Sequence, residues 1–326
     1  MDREQLEQNQ IPIYFAAVIL AAIGGLAFPT ASQVLSVLVT PAIAVLMYAM
    51  FLQIPFLELR EGLSNKRFML ALLLANFVFI PLLVWALTRG LSDHPAILVG
   101  ALLVLLTPCI DYVVVFTHLG KGDARLTLVA TPVLLLLQLV LLPLYLAFML
   151  GPDSAVVISI GPFVEAFLLL IVLPLVLAVF TAAGGKGSRV VNLWNRAWGW
   201  VPVPAMATVL VVVIASQMAF VVGDIDQLLP VFPVYISFML LAPLIGMLVA
   251  RAFRLPATTV RSVAFSSATR NSLVVLPLAL ALPEEIRGLA AAAVITQTLV
   301  ELVSELIYIR AIPSLVRERA EVPFRR

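Results

Sequence analysis

The chain has 326 residues, 63% of them hydrophobic and 12% charged, with a mean hydropathy of +1.12 and a net charge of +2. Soluble domains carry about 25% charged residues, so a water-facing exterior is excluded and a lipid bilayer is the solvent this composition suits. The small net charge gives no basis for nucleic acid as a partner, and the lone cysteine, Cys109, excludes an intrachain disulfide and a cysteine-based structural zinc site.

An acidic, polar N-terminus (MDREQLEQNQ) leads into an apolar run with no small-residue cleavage site, so this run reads as a retained helix. Stretches long enough to cross a hydrocarbon core of about 30 Å then recur. They fall at about 11–28, 33–57, 68–88, 95–119, 125–150, 158–181, 198–222, 228–250, 257–281 and 287–310. The prediction is an all-α polytopic membrane protein of ten transmembrane helices. Helices follow because a spanning segment must satisfy its own backbone hydrogen bonds, and runs such as LLLLQLVLLPL do not alternate as barrel strands would. His94 and His118 are too scattered for a metal cluster, and no phosphate-binding glycine–lysine loop appears. Neither an enzyme nor a cofactor is expected.

Basic residues sort by side. With the N-terminus in the cytoplasm, the inside segments hold 17 of the 20 lysines and arginines, from Arg3 to the five arginines starting at Arg310. Outside loops hold Arg89 and Arg287, and Arg270 falls within a span. This asymmetry predicts cytoplasmic N- and C-termini in the inner membrane of the cell. Trp194, Trp198 and Trp200 read as an interfacial belt.

An internal repeat follows at an offset of about 160 residues. AAIGG at 21–25 matches TAAGG at 181–185, and IPLLVWALTRG from Ile80 matches APLIGMLVARA from Ala242. TPCIDY at 107–112 falls on SATRNS at 267–272, and TPVLLLLQLV at 131–140 on AAAVITQTLV at 291–300. Two halves, 1–155 and 156–326, each holding five helices, predict an inverted repeat within one membrane domain. Secondary transporters use this architecture, with the site where the repeats meet.

The fourth and ninth spans are the polar anomalies. The fourth holds Thr107, Pro108, Cys109 and Asp111, and the ninth holds Ser266, Ser267, Thr269, Arg270, Asn271 and Ser272. Pro108 lacks a backbone donor and disfavours helical geometry at Thr107, while the small hydroxyl residues before Arg270 suit an unwound turn. Both spans are predicted to be interrupted and to meet at mid-membrane. Charges inside membranes mark transport paths, so Asp111 and Arg270, near-equivalent in the repeat, are candidates either for the cavity or for a buried pair that sets the crossing. Asp111 is also a candidate proton carrier, and Arg270 a candidate stand-in for a coupling cation. Thr107, Thr269 and Asn271 are read as orienting the substrate, with Ser266, Gln297 and Glu301 as ion-coupling candidates. Gln297, Glu301 and Gln138 are equally suited to gluing helices together. Cys109 is either a small apolar filler or a contact for a thiophilic solute.

The stretch LLTPCIDYVVVFTHLGKGDARLTLVATPVLLLLQLVLLPLYL, from Leu105, resembles the fourth and fifth helices of the arsenite efflux carriers in the bile acid/arsenite transporter superfamily. That resemblance implies ten helices in five-plus-five inverted repeats, with discontinuous helices four and nine crossing at the centre. It also implies a metalloid role for Cys109. The bile-acid branch is resembled by Asn271, Ser272 and ITQTLVELVSELIYIR. Its ninth-helix glutamate and glutamine, which ligate sodium, fall here on Ser266 and Arg270, which implies that this sodium site is absent. The leading expectation is a secondary carrier exporting arsenite or a related metalloid by proton exchange. The alternative is an ion-coupled carrier of small organic anions, with Arg270 holding the substrate carboxylate. Partners are then a small solute, the bilayer, a proton or sodium, and a second copy in a homodimer.

Overall fold

A computed structural model describes residues 9–28, 34–53, 65–109, 112–150, 167–184, 189–223 and 225–317, together with Leu6, Thr30 and Glu165. The secondary structure among these residues is helical apart from one isolated β-bridge. Asp111, the residues from 54 to 64 and the segment 151–164 lie outside the described residues.

The helices are α1 (Gln10–Ala27), α2 (Ser36–Gln53), α3 (Lys66–Leu91), α4 (Pro95–Leu105), α5 (Val113–Leu119), α6 (Ala124–Leu150), α7 (Leu173–Gly184), α8 (Arg189–Trp198), α9 (Pro202–Gly223), α10 (Val231–Ala252), α11 (Ala257–Ala268), α12 (Ser272–Leu280) and α13 (Glu284–Leu315). Six of them, α2, α3, α6, α9, α10 and α13, are long and apolar enough to cross a membrane. Their outward faces carry side chains such as Val37, Phe148, Leu240, Leu248 and Ile307, all more than half exposed. That surface suits hydrocarbon and not water.

Local chemistry explains several boundaries. The Asn65 side chain accepts a hydrogen bond from Phe68 N (3.2 Å) and caps α3, and Asp123 accepts from Leu126 N (3.0 Å) at the start of α6. Pro95 opens α4, where a missing donor costs nothing. Within α3, Ala75–Phe79 forms a π-helical turn. The sequence predicts interruptions in the fourth and ninth spans and no helix between 181 and 198. Segments 95–119 and 257–281 are each divided into two helices, as the break at Pro108 and the hydroxyl run before Arg270 predicted. The region before 198 holds an additional helix, α8, with its described residues half-buried or exposed.

Packing sorts the helices into two groups. In one, α1 and α2 pack on α9, and α7 packs on α2. In the other, α11 lies between α10, α5, α6 and α3, while α13 packs on α4 and α12. The groups meet where α9 touches α13 and where α2 touches α12. Close approach depends on glycine at several of these contacts. A Cβ on Gly246 of α10 would lie 2.9 Å from the Ala264 Cα and Ser267 Cβ atoms of α11, and one on Gly25 of α1 would lie 2.6 Å from the Ala215 carbonyl oxygen of α9.

Candidate functional site

The site is built where the two interrupted helices run out together. Helix α4 ends at Leu105, and Pro108 cannot continue its hydrogen-bond ladder. Helix α11 ends at Ala268, and Thr269 turns to extended backbone (φ −88°, ψ 128°). Each break frees backbone groups that lipid would leave unsatisfied. The two stretches satisfy each other: Cys109 N donates to Thr269 O (3.1 Å) and Asn271 N donates to Thr107 O (2.8 Å), forming an antiparallel bridge between Pro108 and Arg270. The interruption legible in each sequence segment is therefore one joint structure.

The guanidinium of Arg270, fully buried, turns back onto the end of its own half-helix. Its Nη2 donates to Ser266 O (2.6 Å), Ser267 O (2.7 Å) and Asn76 Oδ1 (2.9 Å), and Nη1 reaches Leu105 O (3.4 Å). Asn76 sits in the π-helical turn of α3 and is itself buried. Its Nδ2 donates to Leu72 O and to Ser266 Oγ, both at 3.1 Å, which fixes the carbonyl end of the amide toward Arg270. The Phe238 ring lies 5.5 Å from the guanidinium carbon and closes the remaining side.

The backbone of the same residue is held from the opposite direction. Glu301 of α13 accepts from Arg270 N (2.9 Å), from Gln297 Nε2 (2.5 Å) and from Tyr112 Oη (2.6 Å). The Tyr112 hydroxyl also lies 3.0 Å from Arg270 O. One turn further along α13, Glu305 Oε1 lies 2.6 Å from Thr269 Oγ1. A buried carboxylate is costly unless hydrogen-bonded, and Glu301 answers that cost with three donors, one of them freed by the helix break. Asn271 caps α12, its Oδ1 accepting from Val274 N (3.2 Å).

Of the residues singled out from sequence, Thr107, Cys109, Ser266, Thr269, Arg270, Asn271, Gln297 and Glu301 all converge on this crossover. Thr107 Oγ1 turns to its own helix, donating to Leu103 O (2.7 Å). Cys109 is fully buried. Asp111, and with it the expected pairing with Arg270, lies outside the described residues. Gln138 is buried in α6. Asn76 and Tyr112 were missed. A lone amide in the apolar run ALLLANFVFIPLL was the available signal for Asn76, since such residues hold helices together. Tyr112 was hidden by its neighbour Asp111.

A cavity of about 540 Å³ lies between the two helix groups. Its wall combines Gln10 and Tyr14 of α1, Gln53 of α2, Thr131 of α6, Asn195 of α8 and Trp200 with apolar side chains from Met50, Val114, Leu128 and Met206. Tyr112 forms part of the same wall, so one side chain joins the cavity to Glu301 and the crossover.

Described residues that are helical apart from one bridge, a lipid-suited surface, two paired helix breaks and a cavity between two helix groups together define a multi-pass membrane protein of the transporter class. Residues 40–224, more than half of the chain, match the Sodium Bile acid symporter family, and the chain belongs to that family. It is also similar to the "Uncharacterized sodium-dependent transporter YocS" of Bacillus subtilis (strain 168), at 25% identity over 260 residues, covering 78% of this chain and 77% of that one.

The family name implies a sodium ion. Hard cations take oxygen ligands, and Asn76 Oδ1 with the Ser266 and Ser267 carbonyls is such a set. Arg270 Nη2 already stands between these three oxygens, so in this chain they do not fit a sodium ion.

Proposed function

We propose that the protein is a secondary active carrier of a small amphipathic organic anion, moved through the cavity between the two helix groups by alternating access. The observation that carries this reading is the cavity. At about 540 Å³ it falls in the size range of sites for drug-sized ligands, about 300–1,000 Å³. Its wall is mainly apolar with a few amides and hydroxyls, the make-up that holds an organic body and orients a polar end. Arg270 gives its guanidinium to protein oxygens, so the substrate's acid group is assigned to amide and hydroxyl donors of the wall and not to that arginine. With the termini in the cytoplasm, as the basic residues favour, the cavity opens inward. Two five-helix inverted repeats, 1–155 and 156–326, with ten crossings, are part of this reading. The reciprocal bonds between Thr107–Cys109 and Thr269–Asn271 support it.

A proton is the coupling ion in this reading, with Glu301 and Glu305 as the buried acid groups beside the break. Glu305 Oε2 has no hydrogen-bond partner among the described residues. A second reading, export of arsenite or a related metalloid by proton exchange, is favoured by the position of Cys109 at the crossover. Full burial of its thiol, away from the cavity wall, places it second.

Proteoliposome flux decides between them. Radiolabelled amphipathic carboxylates and arsenite are offered separately, under an imposed proton or sodium gradient. Carboxylate flux that follows the proton gradient and survives Cys109→Ser is the expected result. Arsenite flux abolished by Cys109→Ser, with no carboxylate flux, overturns the first reading in favour of the second.

A further inference from the structure

We propose that Arg270 is a resident cation: its guanidinium fills, as part of the chain, a cation cradle formed by Asn76, Ser266 and Ser267, and so makes this position independent of bound sodium. Three features of the geometry lead there. First, three oxygens converge within 2.9 Å of one nitrogen, Nη2, which has only two hydrogens to donate. Such convergence is set by attraction to a positive centre and resembles the shell around an ion more than a directed fork to a carboxylate.

Second, the cradle stands at the C-terminal ends of two half-helices. Ser266 and Ser267 are in the last turn of α11, and Leu105, at 3.4 Å from Nη1, is the last residue of α4. Each end carries the partial negative charge of unsatisfied carbonyls and the helix macrodipole. Carriers with broken helices place their coupling cations at such ends. A charge of the opposite sign is therefore favoured here, and Arg270 brings one that persists at any physiological pH.

Third, the cradle is preset. Asn76 is oriented by its own Nδ2 bonds to Leu72 O and Ser266 Oγ, which turn its oxygen inward independently of its contact with the guanidinium. No carboxylate among the described residues lies within ion-pair distance of the guanidinium. Glu301 takes the backbone N–H of Arg270 instead.

The test measures thermal unfolding of the purified full chain in detergent, in sodium, potassium or choline chloride at equal ionic strength. Wild type is expected to unfold at the same temperature in all three. Arg270→Gln empties the cradle while leaving a short polar side chain. It is expected to unfold several degrees lower in choline and to recover in sodium with a saturable dose response, absent in choline. Arg270→Lys keeps a cation and is expected to stay indifferent to sodium. The double variant Arg270→Gln with Asn76→Leu is expected to lose the sodium recovery. Folded Arg270→Gln that ignores sodium overturns the proposal, as does a wild type stabilised by sodium in a manner that Asn76→Leu abolishes. Where Arg270→Gln does not fold in any salt, Arg270→Lys decides: sodium-dependent stabilisation of that variant overturns the proposal, and indifference upholds it. The readout needs no solute, so it stands or falls separately from the organic-anion reading.

Discussion

Asn76 Oδ1 and Arg270 Nη2 lie 2.9 Å apart although 194 positions separate them in the chain. The contact ties the π-helical turn of α3 to the end of α11, and it is the one side-chain oxygen in an otherwise backbone cradle. Replacing Asn76 with leucine leaves a buried charge one acceptor short. Loss of a buried hydrogen bond to a charged group costs about 1–3 kcal/mol, so Asn76→Leu should lower the unfolding temperature. Asn76→Asp keeps the acceptor but loses both amide donations, to Leu72 O and Ser266 Oγ, and should lower it as well. Equal unfolding temperatures for wild type and Asn76→Leu would remove the amide from the cradle.

Tyr112 lines the cavity and its hydroxyl donates to Glu301, so this side chain joins the cavity wall to the crossover. Tyr112→Phe removes one hydrogen bond to a carboxylate while keeping the ring and its edge contact with Phe116, 6.0 Å between centroids. The expected result is a loss of flux of about tenfold, the worth of one hydrogen bond to a charged group, at unchanged protein yield. Flux measured beside size-exclusion profiles separates this from misfolding.

Gly246 lets α10 lie against the turn that supplies Ser267 to the cradle. A side chain there would run into Ser267 Oγ at 2.7 Å and the Ala264 Cα atom at 2.9 Å from the added Cβ. Gly246→Leu should destabilise by about 1–3 kcal/mol or more through overpacking. Gly24, whose added Cβ meets nothing within 4 Å, should accept leucine with little change in thermal unfolding.

Arg261 holds two chain segments together at the far end of α11. Its Nε and Nη2 donate to Val316 O (3.0 and 2.8 Å) and its Nη1 to Lys121 O (2.8 Å). Arg261→Ala should release the end of α13. Faster amide hydrogen exchange at residues 312–317, with little change in α9, is the signature to look for.

Cavity and crossover should also differ in access. Gln53→Cys in a Cys109→Ser background places a thiol at an exposed position of the cavity wall and should react with a water-soluble maleimide in inside-out vesicles. Native Cys109, fully buried, should stay unlabelled until the protein unfolds. Labelling of Cys109 in the folded protein would favour the metalloid reading.

Much of this protein was readable from the chain alone, because hydrocarbon imposes its rules locally. Composition required a bilayer, apolar runs required helices, and Pro108 required a break. The polar residues that lipid would penalise marked the crossover before any coordinates: Thr107, Cys109, Ser266, Thr269, Arg270, Asn271, Gln297 and Glu301 all gather there. What hydropathy and spacing do not carry is direction. A buried arginine in a membrane span predicts a partner without saying whether it is a substrate, an aspartate or a carbonyl. Only the packing of α3 against α11 turned the guanidinium toward Asn76 and the carbonyls of Ser266 and Ser267, leaving the backbone of Arg270 to Glu301. Likewise, only the separation of the helices into two groups placed a cavity between them, with Tyr112 at its edge. Those outcomes rest on contacts between residues far apart in the chain, where many side chains compete for few buried donors and acceptors, and the fold alone decides which of them meet.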